Sequence, residues 1–178
     1  MSQLFDTTQM SLFYALLAVA AEVAVVAAVA VAVTSRRLLA TVRDDLRGVG
    51  TWFALVVAAV ATSGSLYFSE VAHFVPCRLC WWQRGLMYPL VPILLVAALR
   101  PALRARRLAL PMVAIGAAIA SYHSAISRWP SLEIGSCSLT NPCTLEWVKE
   151  LGYVTIPVMS LSAFLLIGVL LLLDRGTA

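Results

Sequence analysis

The chain has 178 residues, 61% of them hydrophobic and only 12% charged, and a mean hydropathy of +0.90. These values exclude an ordinary water-soluble domain and define a membrane protein. The formal net charge of +4 comes from cations gathered in short loops, so it reflects membrane topology and is no argument for a nucleic-acid partner.

A spanning helix needs about 20 mostly apolar residues, because each rises about 1.5 Å through a hydrocarbon layer of about 30 Å. Five runs qualify, at 11–33, 51–71, 81–99, 108–127 and 153–173. Backbone amides in lipid must be satisfied within the segment, which permits a helix bundle or a closed barrel. Unbroken Ala, Val and Leu runs lack the alternation of barrel strands, so the predicted fold is an all-α integral membrane bundle. Residues 1–10 hold no Lys or Arg, and the apolar run after them exceeds the roughly 7–15-residue core of a secretory signal. It therefore counts as a helix. Glu22, near its middle, costs roughly 2.5–3.5 kcal/mol on insertion scales. It is read as a protonated or paired carboxyl facing the bundle, with proton handling as a second reading.

Arg36, Arg37, Arg43 and Arg47 lie between the first two runs, Arg100, Arg104, Arg106 and Arg107 between the third and fourth, and Arg175 in the tail. The positive-inside rule puts all three segments in the cytoplasm, giving N-out and C-in. The Cys77–Cys80 stretch and the long segment 128–152 then lie outside. The chain shows no internal repeat, no low-complexity tract and no second soluble domain.

All four cysteines fall on that outer side, at 77, 80, 137 and 143. Cysteines used merely as small apolar residues would appear inside the helices. An extracytoplasmic position favours disulfides, and Cys77–Cys80 with Cys137–Cys143 is the simplest pattern. One reading makes these inert staples, but a bridge across two residues closes a very small loop and stabilises little. Electron exchange suits it better. Four thiolates also suit zinc, but such sites pair two closely spaced sets in a compact soluble fold, and here the second spacing is Cys-x5-Cys. No metal is expected.

Trp81 opens the third apolar run, so Cys77 and Cys80 sit at or just before a helix N-terminus, where partial positive charge favours a thiolate. Arg84 follows Cys80 by four residues, on the same helix face. Its guanidinium would stabilise a Cys80 thiolate or a neighbouring anion, unless it is an ordinary snorkelling residue. His123 lies at similar depth in the fourth run and is either functional or bonded to a neighbouring helix. Trp81 and Trp82 are ring-stacking or interface-anchoring residues, and Gln83 is a polar support. Pro89 and Pro92 are expected to bend the third helix and open room beside it. The segment "LEWVKELG", 145–152, places Leu145, Val148 and Leu151 at helical spacing, which predicts a short amphipathic surface helix anchored by Trp147. "TNPC" at 140–143 reads as a turn.

Residues 77–90, "CRLCWWQRGLMYPL", resemble the disulfide bond formation protein B (DsbB) family, and more closely its shorter Gram-positive branch, BdbC. "ASYHSAIS" at 120–127, "CSLTNPCTLEW" at 137–147 and "GYVTIPVMSLSAF" at 152–164 match in the family's order, so the resemblance covers 51–173. It implies a DsbB-like four-helix bundle over 51–178, with residues 1–50 supplying an additional N-terminal helix and basic loop. It implies a bacterial cytoplasmic-membrane enzyme that reoxidises an extracytoplasmic thioredoxin-like (DsbA-like) dithiol protein and reduces a membrane quinone. The short branch favours menaquinone over ubiquinone. By resemblance, Cys80 faces the quinone and Cys77 exchanges with the loop pair. Cys137 meets the partner, Cys143 meets Cys77, and Arg84, His123, Trp81 and Gln83 surround the quinone. Two other functions remain at this point: a vitamin K epoxide reductase-like oxidoreductase, whose loop cysteines precede its membrane pair, and a non-catalytic disulfide-stapled scaffold.

Overall fold

The computed structural model describes residues 6–100, 105–135, 137 and 142–174. Arg104, Arg175 and the first half of the turn at 140–143 lie outside the described residues. Helix α1 spans Thr7–Thr34, capped by the Asp6 carboxylate, which accepts from the Thr8 N–H. Ser35 ends it in an extended conformation and caps α2, Arg36–Asp45, by accepting from the Leu38 N–H. Helix α3, Gly50–Leu66, continues as a π-helical turn over Tyr67–Val71. Helices α4, Arg78–Leu99, α5, Ala105–Arg128, and α6, Ile156–Leu173, follow. Five of these helices are long and apolar enough to cross a membrane, as the five apolar runs predict. Helix α4 runs through both Pro89 and Pro92 without interruption.

Helices α3, α4, α5 and α6 close into a four-helix bundle, and α1 packs outside it against α6. The bundle interior is filled by Ala54, Leu90, Leu94, Phe164, Ile167 and Leu171. In lipid the apolar effect does not drive helices together, so close van der Waals packing has to. Gly116 of α5 shows the result: a Cβ there would strike the ring of Phe164, which is fully buried.

The two ends of the bundle are built differently. At the basic end the buried Asp174 carboxylate accepts from the Gly48 and Thr51 N–H groups and the Thr51 hydroxyl, at 3.1, 2.9 and 2.8 Å. An anion at an N-terminus satisfies amides that have no helical partner. A Cβ at Gly50 would lie 2.7 Å from Asp174, so a glycine permits this approach. The other end carries all the cysteines.

Helix α1 is tied to that end by polar bonds. Ser11 donates to Glu150 at 2.6 Å, and Glu22 accepts from Tyr153 at 2.8 Å and Ser162 at 2.9 Å. Glu22 therefore faces the bundle, and both of its oxygens are satisfied there.

One predicted element is absent. Residues 145–152 form no surface helix: Lys149–Glu150 (β1) pairs antiparallel with Val154–Thr155 (β2). Leu151 and Gly152 between them have φ of +53° and +80°. Consecutive left-handed residues reverse the chain in a tight hairpin and stop a helix. The same pairing delays α6 to Ile156, past the predicted start at 153.

Gly116→Ala is expected to destabilise the bundle by about 1–3 kcal/mol through overpacking against Phe164. Gly85→Ala, which meets nothing within 4 Å, should be neutral or stabilising by up to ~1 kcal/mol. Thermal unfolding in detergent compares the two.

Candidate active site

Helix α4 starts at Arg78, so Cys77 is its N-cap, with its sulfur accepting from the Cys80 N–H at 3.4 Å. This geometry brings the Cys77 and Cys80 sulfurs to 3.0 Å. Both are free thiols, whereas Cys137 and Cys143 are joined as a disulfide. Of the two pairs expected to be bonded, the second is closed and the first is an adjacent dithiol.

His123, 3% exposed on α5, holds the two pairs against one another. Its Nε2 lies 3.6 Å from the Cys77 sulfur and 3.1 Å from the Cys143 carbonyl oxygen. Its Nδ1 lies 2.9 Å from Nε2 of Gln83, itself buried. An amide nitrogen donates, so Nδ1 accepts and the ring proton sits on Nε2, pointing at the sulfur and the carbonyl. The Cys80 thiol, the imidazole and the Cys80 backbone amide all stabilise negative charge on Cys77. They hold its thiol well below the ordinary range despite burial, the Cys80 hydrogen bond contributing most. Position relative to Arg84 suggested Cys80 as the stabilised thiolate. The hydrogen bonds instead converge on Cys77, because the helix begins three residues earlier than Trp81.

Two cavities meet at this pair. A small one of about 30 Å³ is bordered by Cys77, Cys80, Cys143 and His123. A large one of about 420 Å³ has Cys80, Gln83, Arg84 and His123 at its cysteine end and a mostly apolar lining, drawn chiefly from α1, α3, α4 and α6. Cys80 borders both; Cys77 borders the small one. In the loop pair, Cys143 is 1% exposed while Cys137 is partly accessible.

Arg84 is fixed by donating from Nη2 to the Ser65 carbonyl oxygen at 2.8 Å, and its guanidinium lies 5.4 Å from the Trp81 ring centroid. Trp81 is 62% exposed and takes no part in the cavity lining; it supports Arg84 from outside. Trp82 is equally exposed. Several contributors lay beyond sequence reasoning. Tyr88, one turn after Arg84, donates to the Ser65 hydroxyl and lines the large cavity. Its i+4 spacing was the available signal. Phe74 stacks on Trp147 at 5.1 Å and on Phe68 at 5.9 Å, roofing the same cavity. Nothing in the sequence links residues so far apart.

Cys77, Cys80 and His123 place three ligand atoms within 4.8 Å. Two thiolates on one tetrahedral zinc, at bonds of about 2.3 Å, sit about 3.8 Å apart. The 3.0 Å separation here is tighter and matches a dithiol about to close.

A helical membrane protein that sets a dithiol beside a disulfide, with a basic residue and an imidazole at the junction, is a membrane thiol–disulfide oxidoreductase. The family model described as Disulfide bond formation protein DsbB matches residues 48–173, and the chain belongs to this family. It is 43% identical over 122 residues to Disulfide bond formation protein C of Bacillus subtilis, covering 68% of this chain and 88% of the relative. A probable disulfide formation protein C of Halalkalibacterium halodurans is 38% identical over 70% of this chain and 89% of its own length. A probable disulfide formation protein of Metapseudomonas resinovorans is 37% identical over 70% and 86%. No solved structure matches. Membership makes the chain a membrane disulfide-generating oxidoreductase and sets aside the scaffold and the vitamin K epoxide reductase-like alternatives.

In the reduced protein, the thiolate ultraviolet absorbance of Cys77 is expected to persist as pH falls below neutrality, far under the ordinary thiol value of about 8.5. A lowered pKa keeps the thiolate populated at every pH above it, so absorbance is lost only on further acidification. His123→Ala removes one donor and should move that midpoint up by about one pH unit, the equivalent of a single hydrogen bond to charge.

Proposed function

We propose that the protein reoxidises a thioredoxin-like (DsbA-like) dithiol protein on the extracytoplasmic face of a bacterial cytoplasmic membrane and delivers the two electrons to a membrane quinone. The observation that carries this reading is the position of Cys80, which borders the apolar cavity on one side and the cavity shared with Cys77 and Cys143 on the other. The orientation follows from Arg36, Arg37, Arg43 and Arg47 at the opposite end.

The cavity suits a quinone chemically. Arg84 and Gln83 offer hydrogen bonds at one end for a polar ring, His123 borders that end with its own nitrogens bonded to Gln83 and the Cys143 carbonyl, and the remaining lining suits an isoprenoid tail. When bound, the quinone supplies the two-electron, two-proton acceptor that side chains lack. Resemblance to the short branch favours menaquinone over ubiquinone.

The chain's own residues carry the exchange. Cys137, the accessible sulfur of the loop pair, is attacked by the partner's thiolate, and Cys143 leaves with the electron pair. The partner's second thiol then displaces Cys137, so the partner is oxidised and the loop pair becomes a dithiol. Cys143 next attacks Cys77 of a closed Cys77–Cys80 bond and releases Cys80. Cys137 in turn attacks Cys143, restoring the loop disulfide and releasing Cys77 as a thiolate. His123 and the Cys80 amide stabilise that leaving thiolate. Arg84 favours negative charge at the cavity end.

Purified protein is expected to oxidise a reduced thioredoxin-like dithiol protein only when a quinone is supplied, and Cys80→Ser should abolish this turnover. Arg84→Ala should raise KM for the quinone about tenfold or more, the ~1.5–3 kcal/mol of a hydrogen bond to charge. Exchange between the partner and Cys137–Cys143 should survive. Quinone-independent turnover, or unaltered quinone kinetics in Arg84→Ala, overturns the reading.

A further inference from the structure

The family match begins at residue 48, so α1 stands outside the region shared with the family. In the fold it nevertheless borders the large cavity: Tyr14, Leu17, Ala18, Ala20 and Ala21 line it together with Cys80 and Arg84. We propose that α1 is a wall of the electron-acceptor site, and that Ala18 and Ala21 set the width of the channel that takes the isoprenoid tail. This rests on the quinone reading above.

Three independent observations support the assignment. First, α1 is held at fixed height by polar bonds on either side of the lining stretch. Ser11 bonds Glu150, and Glu22 bonds Tyr153 and Ser162. The two clamps stand eleven positions apart on the helix, about 16 Å. A carboxylate at mid-span is costly in lipid, and a helix serving only as an anchor has no use for one.

Second, α1 and the bundle are shaped to one another. A Cβ at Gly64 of α3 would fall 2.7 Å from the Tyr14 ring, and the Tyr14 hydroxyl lies 3.5 Å from that of Ser63. The same ring packs on Phe68, with centroids 5.7 Å apart. At this level α1 touches α3 through Tyr14 as well as packing against α6, and so borders the cavity between those helices.

Third, two of the α1 residues that border the cavity, Ala18 and Ala21, are small and buried, whereas Val26, further along the helix, is 66% exposed. Each missing methyl on these two residues is volume left to the cavity, along the line that leads from Arg84 toward the middle of the membrane. Leucine at either position would project into that space.

Two measurements test the proposal. In the unaltered protein, an isoprenoid quinone with a photoreactive group on its tail is expected to label residues 14–21, identified by mass spectrometry. Labelling of α3, α4 or α6 with none on α1 overturns the wall assignment. In the second, Ala18→Leu and Ala21→Leu should each weaken equilibrium binding of a long-tailed quinone about tenfold. Binding of a short-tailed decyl quinone should change less than twofold, and dithiol exchange with the partner should be unaffected. Val26→Leu, at an exposed position, should leave all three unchanged. Long-tail affinity equal to the unaltered protein in both alanine variants overturns the proposal while leaving quinone use intact. Failure of the unaltered protein to bind any quinone removes the functional reading itself, and the wall with it.

Discussion

An imidazole buried in a membrane helix has two ring nitrogens to satisfy without water, and the way His123 satisfies them fixes the rest of the site. Gln83 donates to one nitrogen, and the other points its proton between the Cys77 sulfur and the Cys143 carbonyl. A single side chain from α5 thereby ties the start of α4 to the loop that carries the second disulfide. In surroundings of low dielectric each of these bonds is strong, and leaving any partner bare is costly. The network therefore dictates one arrangement of the three elements. The small cavity shared by Cys77, Cys80 and Cys143 is the space that arrangement leaves.

The bundle makes this possible by separating its two jobs. Its packed middle, where Phe164 lies on Gly116 and Leu90 and Leu94 fill the centre, contributes rigidity. At the basic end, Asp174 joins the last turn of α6 to the first turn of α3 through three hydrogen bonds. The cysteine end is more loosely built, from a π-helical turn, an irregular stretch, the hairpin and a loop, and it is closed by stacked rings. Phe68, Phe74 and Trp147 stack in sequence, joining α3 to the loop just after Cys143. Aromatic contacts of this kind contribute about 0.5–1.5 kcal/mol each, enough to roof a cavity.

How much of this could be read from the chain depended on whether the signal was local. The five spans were legible because hydrocarbon thickness imposes length and apolarity on each one separately. Cys77, Cys80 and Arg84 were legible as a unit because they share one helix start, and Glu22 because a carboxylate in lipid demands a partner. The hairpin was misread since Leu145, Val148 and Leu151 carry a helical spacing, and the left-handed turn at Leu151 and Gly152 overrides it. The stabilised sulfur was also misplaced. Starting α4 at Arg78 instead of Trp81 makes Cys77 a cap, and capping lies within the few residues where helix ends are hardest to locate. The Arg84–Ser65 bond and the Phe74–Trp147 stack join segments remote in sequence, and no periodicity announces them.

The asymmetry between the two neighbouring thiols follows from these same facts. Cys77, as a cap, turns its sulfur back over the helix start, where the amide of Cys80 and the imidazole lie. Cys80, one turn in, must project sideways from the α4 cylinder, toward the gap that α1, α3 and α6 surround. Three residues of helix are therefore enough to give one sulfur a polar, hydrogen-bonded setting that favours its anion. The other gains an apolar outlook beside a fixed guanidinium. A dithiol arranged in this way turns one sulfur toward the loop pair and the other toward the apolar cavity, although its sulfurs are only 3.0 Å apart. Moving Cys80 one position along α4 would rotate its sulfur by about 100° about the helix axis and break that division. Hence the cap at Cys77, more than the Cys-x-x-Cys spacing alone, makes the pair directional.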